Sequence, residues 1–167
     1  MWYFTGKGDS GETSLFDGSW VKKNDPVLDL LGTIDELNSF IGLGRSKVEG
    51  EGLRADLIFL QSSLSKLMGM IAGASAQSLF DFAPATLLEW LEEKILLYSK
   101  GIINPKEFTF PGDTEIGAVF DVCRTVSRRA ERIAVEVSCR NDQLDEHILM
   151  VLNRLSSYFY ILRLSHE

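Results

Sequence analysis

Apolar residues recur along this chain with the 3.6-residue period of an α-helix in five separate stretches. The first opens at Asp25-Pro26, where proline suits the first helical position and Asp25 is the expected cap. Val27, Leu30, Leu31, Ile34, Leu37 and Ile41 follow on one face, and glycines from Gly42 to Gly52 weaken and then break the run. Leu53, Leu57, Leu60, Leu64, Leu67 and Ile71 form the second stripe in alternating steps of four and three, the spacing of helices packed nearly parallel or antiparallel. Pro84 opens a third helix carrying Leu87, Leu88, Leu91 and Ile95, closed by Gly101 and Asn104-Pro105. A fourth runs from about Thr114 to Cys139 on Ile116, Val119, Cys123, Val126, Ala130, Ile133 and Val137. Asn141-Asp142 marks the expected start of a fifth, with Leu144, Ile148, Val151, Leu155, Phe159 and Leu162. Five helices with short connections predict an all-α, five-helix bundle of ferritin-like, up-down arrangement. Residues 1–24 stand apart as an N-terminal loop, residues 25–167 form the bundle, and the whole reads as one domain of 167 residues.

Two short segments break the helical pattern. Glu107-Phe108-Thr109-Phe110-Pro111-Gly112 is an extended linker whose alternation sends Phe108 and Phe110 to opposite sides, so that one can pack into the bundle while the other faces away from it; the alternative is that both rings are core. Gly6-Lys7-Gly8-Asp9-Ser10-Gly11 spells a G-x-G-x-x-G. A dinucleotide fingerprint needs a helix after it, but Thr13 to Ser19 read as strand or loop. Two readings remain: a β-hairpin turn, or backbone amides turned toward an anion.

Composition narrows the classes. The net charge is −7, which excludes long-range attraction to nucleic acid or an acidic membrane. No apolar run approaches the ~20 residues of a membrane span, and no signal peptide is legible, so an intracellular, cytoplasmic location is expected. The two cysteines, Cys123 and Cys139, lie on one helix about 24 Å apart and read as small buried thiols beyond disulfide reach. The histidines are His147 and His166, too few for a structural zinc site. Against the acidic background stands the polar face of the fourth helix. Arg124, Arg128, Glu131 and Arg132 share one side, opposite the apolar stripe, with arginine used throughout and no lysine. That face is either solvated or built for carboxylate or phosphate. Asp35 and Asn38 on the first helix sit one turn apart; Asp35 either suits a pairing with Arg124 or, like Glu36, simply faces solvent. Asn153, flanked by Leu152 and Leu155, needs partners of its own.

In order along the chain, FTGKGDSGETSLF, Lys23-Asn24-Asp25, LLGTIDELNSFIG, FPG, CRTVSRRAER and LNRLSSYFYILR resemble the PduO-type ATP:corrinoid adenosyltransferases. The resemblance covers nearly the whole chain and is weakest between Gly50 and Asn104. It implies a homotrimer with active sites between subunits. It also implies transfer of the 5′-deoxyadenosyl group of ATP, with Mg²⁺, to the cobalt of cob(I)alamin or another corrinoid, with release of triphosphate. By position, Thr5, Gly6, Lys7, Gly8, Thr13 and Ser14 match the family's ATP loop, and Lys23 its triphosphate lysine. Arg128, Glu131 and Arg132 match the ATP-binding helix, and Asn153 the nucleotide-contacting asparagine. Asp35 and Arg124 match a pair linking subunits near the corrinoid, and Phe108 the aromatic residue on the lower face of cobalt. A corrinoid reductase and a B12-dependent acceptor enzyme are the implied partners. The chain departs from the usual pattern at Gly6, Lys7, Glu12, Val27, Asp113 and Asp121. The same scaffold without turnover, as an ATP- or corrinoid-binding sensor, is the alternative.

Overall fold

A computed structural model describes residues 6, 8–80, 82–103, 105–140 and 144–167. It contains a short hairpin, β1 (Glu12–Ser14) and β2 (Trp20–Lys22), followed by five helices. These are α1 (Pro26–Lys47), α2 (Glu51–Ile71), α3 (Pro84–Tyr98), α4 (Glu115–Arg140) and α5 (Glu146–Leu164). A single 3-10 turn, Ala76–Leu79, lies between α2 and α3.

The apolar stripes meet as their periods demand. α1 packs on α2 and α4, while α5 packs on α4 and α3. Leu30, Ile34, Leu37 and Ile41 of α1 face Leu57, Leu60, Leu64 and Leu67 of α2 in one continuous core. Cys123, Val126 and Ala130 of α4 and Val151, Leu155, Phe159 and Leu162 of α5 complete it. Phe120 stacks on Phe159 with ring centroids 6.3 Å apart. Side chains join α2 to α3: the Tyr98 hydroxyl donates to Asp56 at 2.7 Å, and Lys94 pairs with Asp56 at 2.9 Å. Burial and that carboxylate push the Tyr98 hydroxyl well above its ordinary pKa.

Helix starts follow local chemistry. The Asp25 carboxylate accepts from the Val27 amide at 2.9 Å with Pro26 at the first helical position. Asp25→Ala removes that cap and is expected to lower stability by about 1 kcal/mol, read as a lower urea midpoint with unchanged slope. Thr114 caps α4 through its hydroxyl, which accepts from the Gly117 amide at 3.0 Å and donates to the His166 carbonyl at 2.7 Å. The end of α5 is thereby tied to the start of α4.

Four expectations need correction. α5 starts at Glu146, capped by Asp145, which accepts from the His147 amide at 2.9 Å; Asn141 and Asp142 lie outside the described residues. Asp145 succeeds because it stands directly before the helix, leaving Leu144 in the approach. Cys123 is buried, and burial pushes its thiol up to about 12, whereas Cys139 is exposed near the end of α4. The glycine stretch is not the hairpin turn. Glu12, Thr13 and Ser14 pair antiparallel with Lys22, Val21 and Trp20, so the turn falls at Leu15 to Ser19. There Asp17 accepts from the Ser19 amide and hydroxyl, and Gly18 takes φ +84°. Finally, neither Phe108 nor Phe110 enters the bundle. They are 83% and 79% exposed and stand edge-to-face, with centroids 5.3 Å apart. The side chain that turns inward is Thr109.

Candidate active site

The glycine stretch leads into the hairpin as two successive turns. The Asp9 amide donates to the Gly6 carbonyl at 3.2 Å, and the Gly11 amide to the Gly8 carbonyl at 3.3 Å. Gly6 and Gly11 take φ of +72° and +86°, conformations glycine adopts without strain. A Cβ on Gly8 would lie 3.2 Å from Lys23 Nζ, so the bare backbone there lets the ammonium approach the loop. The Lys23 amide donates to the Gly11 carbonyl at 2.9 Å and fixes the two segments together. Thr13 is half-buried and Ser14 exposed on β1, while Thr5 and Lys7 lie outside the described residues.

Lys23 opens onto a cleft of about 600 Å³ between the start of α1 and the end of α4. Asn24, Asp29, Glu136 and Arg140 line it too. Arg140 pairs with Glu136 across one turn at 2.5 Å. Arg128 and Arg132 are stacked on the same α4 face, about two turns and one turn before Glu136 respectively. Both are exposed, and among the described residues neither forms an ion pair. Arg132 instead donates to the Arg128 carbonyl at 3.2 Å. Their neighbours are engaged: Arg129 pairs with Glu36 of α1, and Arg124 holds Asp121 at 2.8 and 3.2 Å.

Glu131 and Asn153 meet between α4 and α5. Asn153 Nδ2 donates to Glu131 Oε1 at 2.8 Å, and its Oδ1 accepts from Arg154 at 2.8 Å. Arg154 is itself held by Glu92 of α3 at 2.9 Å. Asn153 therefore has the partners that a half-buried amide requires. Glu92 and Arg154 are not legible as a pair in the sequence, because spacing along α3 and α5 does not say which of their several charges meet.

One expected pairing, Asp35 with Arg124, does not form within one chain. Asp35 is exposed at the rim of a shallow groove with Phe16, Leu31, Met68 and Ala72, and Arg124 turns to Asp121 instead. Asp121 wins because it lies three residues away on the same helix. Phe108 directly precedes Thr109, whose hydroxyl accepts from Arg163, and Arg163 also reaches Asp121. Eleven residues separate Asp121 from Arg132, about 16 Å along the helix. Among the described residues no group of three His, Cys, Asp or Glu side chains could hold a metal ion, and no helix is long and apolar enough to cross a membrane.

Fold and cleft define a helical-bundle protein with a cleft lined by Lys23, Arg140 and carboxylates, and with Arg128 and Arg132 exposed on the helix that borders it. The family model for cobalamin adenosyltransferase matches residues 3–165, and the chain belongs to that family. It is 34% identical over 164 residues to the corrinoid adenosyltransferase of Bacillus subtilis, covering 96% of this chain and 83% of that one. It is 37% identical over 159 residues to the cobalamin adenosyltransferase of Cupriavidus metallidurans, covering 95% and 84%. A variant PduO-type ATP:corrinoid adenosyltransferase from Lactobacillus reuteri, complexed with cobalamin and ATP, superposes with a TM-score of 0.86. The two are 32% identical, over 98% of this chain and 92% of that one.

Proposed function

We infer that this protein transfers the 5′-deoxyadenosyl group of ATP to the cobalt of a reduced corrinoid, as one domain on a ferritin-like, up-down bundle. The carrying observation is the pair of exposed guanidiniums, Arg128 and Arg132, which form no ion pair among the described residues and lie on α4, the helix whose end borders the cleft that holds Lys23. Such a face in a chain of net charge −7 suits a polyanion such as triphosphate. Cobalt(I) donates its electron pair to the ribose C5′, the Co–C bond forms, the C5′–O bond breaks, and that pair leaves with triphosphate. No protein nucleophile is required. The protein's task is to align C5′ with cobalt and to stabilise charge on the leaving group.

Lys23, Arg128 and Arg132 supply that charge, with Thr5, Gly6, Lys7, Gly8, Thr13 and Ser14 around the phosphates. Glu131, held by Asn153, orients the nucleotide. Because no cluster of side chains among the described residues could hold a metal ion, Mg²⁺ would be carried by the triphosphate itself, where it would neutralise part of the charge. Phe108 covers the lower face of cobalt. Because Phe108 and Arg132 sit far apart on one chain, a complete site is best assembled between copies, in a homotrimer whose Asp35 meets Arg124 of a neighbour. The cytoplasm supplies the ATP. A corrinoid reductase must deliver cobalt(I), and a B12-dependent enzyme consumes the product.

Anaerobic incubation with cob(I)alamin and ATP is expected to give the adenosylcobalamin spectrum and one triphosphate per turnover. ATP binding without any Co–C product would instead favour the sensor. Sedimentation equilibrium is expected to report three chains of 18.7 kDa, about 56 kDa. A monomer at micromolar concentration would overturn the shared-site arrangement.

A further inference from the structure

Near the end of α5 lies a buried charge cluster that the reaction itself does not use. Arg163 is only 3% exposed. Its Nε donates to both carboxylate oxygens of Glu167, at 3.0 and 2.9 Å. Nη1 reaches Asp121 of α4 at 3.4 Å, and Nη2 donates to the Thr109 hydroxyl at 3.0 Å. Asp121 is held from its other side by Arg124, and Glu167 also accepts from the Gly112 amide at 3.3 Å. Two guanidiniums and two carboxylates make the cluster formally neutral, as buried charges must nearly be. Hydrogen bonding to Glu167 holds the Arg163 guanidinium above its ordinary pKa, against the burial that pulls it down, so it stays charged.

The cluster grips the extended segment at two points, Thr109 directly and Gly112 through Glu167. Between and beside those points are Phe108 and Phe110, both projecting into solvent and propped edge-to-face. Two large aromatic rings held out in water have no reason to keep one orientation unless their backbone is fixed. The fork of Arg163 binds the helix end, α4 and the segment at once, which a lysine's single ammonium could not do.

We propose that Arg163 is a positioning residue for the reaction: its clamp on Thr109, with Glu167 on Gly112, fixes the segment that presents Phe108 to the corrinoid. This rests on the reading of Phe108 given above. The clamp makes the aromatic wedge a property of the α4–α5 junction and not of the loop alone. It also gives Asp121 a role as the carboxylate that anchors Arg163 and Arg124 together.

The test uses Thr109, since removing Arg163 would strand buried carboxylates and endanger folding. Thr109→Val keeps the shape and loses the hydroxyl, and Thr109→Ser keeps the hydroxyl. Each variant is measured with cob(II)alamin and ATP for the four-coordinate cobalt signal, and by hydrogen exchange over residues 107–113. Thr109→Val is expected to lose at least threefold in signal and to exchange at least tenfold faster, with ATP affinity within twofold of wild type. Thr109→Ser is expected to match wild type in both. If Thr109→Val keeps the wild-type signal, whatever its exchange, Arg163 serves only the fold and the proposal falls. A wild-type protein with no four-coordinate signal would fail earlier, at the reading of Phe108 itself, and take the proposal with it.

Discussion

Arg128→Lys is expected to lower kcat/KM for adenosyl transfer at least tenfold, a loss of about 1.4 kcal/mol or more in transition-state stabilisation. The change keeps the charge and removes the planar fork. Arg128 has no ion pair among the described residues, so its substitution strands no protein carboxylate. The helix should be unaffected, since lysine and arginine have similar helix propensity. The effect therefore isolates recognition of the departing triphosphate. If the loss is in transition-state stabilisation, kcat falls with kcat/KM, whereas loss of ground-state binding alone would raise KM for ATP and leave kcat unchanged. Kinetics equal to wild type in both parameters would remove Arg128 from the site. Arg129→Lys, one residue on, is the control: Arg129 is engaged by Glu36 of α1 and should affect turnover little.

The difference between these two neighbours was not legible in the sequence. In CRTVSRRAER the periodicity separates the polar face from the core but does not say which arginine finds a partner. Arg129 is taken by Glu36, 93 positions earlier, and Arg124 by Asp121, three positions earlier. The local pair was open to a spacing argument, but the long-range one required the packing of α1 on α4. The helices themselves were legible because each repeats its signal over several turns. Leu57, Leu60, Leu64 and Leu67 are all fully buried, as their spacing demanded. The hairpin register was not, because three paired residues on each side carry no such redundancy.

Arg163 shows the same limit from the other side. It is one residue beyond Leu162, the last member of the α5 stripe, and as a charged residue it reads as surface. It nevertheless continues the buried shoulder formed by Leu152 and Ser156, at steps of four and seven. That continuity was a usable signal. What it could not supply was the partner set, drawn from α4, the aromatic segment and the residue four places on. The alternation that sent Phe108 and Phe110 to opposite sides failed for a related reason. It treated the segment as a free strand over an apolar surface, whereas the surface beneath it is a charged cluster that selects the Thr109 hydroxyl.

The second large effect is expected at Phe108. An apolar ring against the lower face of cobalt excludes both water and a nitrogen ligand there. Cobalt(II) left without that axial ligand accepts an electron more readily, because the orbital that receives it is no longer raised by the ligand's lone pair. Phe108→Ala removes the ring and opens room for a ligand to return. Bound cob(II)alamin should then stay five-coordinate in the presence of ATP, and adenosyl transfer from cobalt(II) should slow by about a hundredfold, ~2.7 kcal/mol. Stability should scarcely change, because the ring is 83% exposed in the single chain and its removal leaves no core cavity. ATP affinity should also hold, since the positive groups assigned to triphosphate, Lys23, Arg128 and Arg132, are untouched by the substitution. Supplying chemically prepared cob(I)alamin bypasses the reduction and should restore most of the rate. Phe110→Ala is the informative companion. It leaves the wedge in place and removes its edge-to-face prop, so a smaller loss of the four-coordinate signal is expected. If that signal persists at wild-type strength in Phe108→Ala, the ring does not cover cobalt, and its exposure must serve another contact.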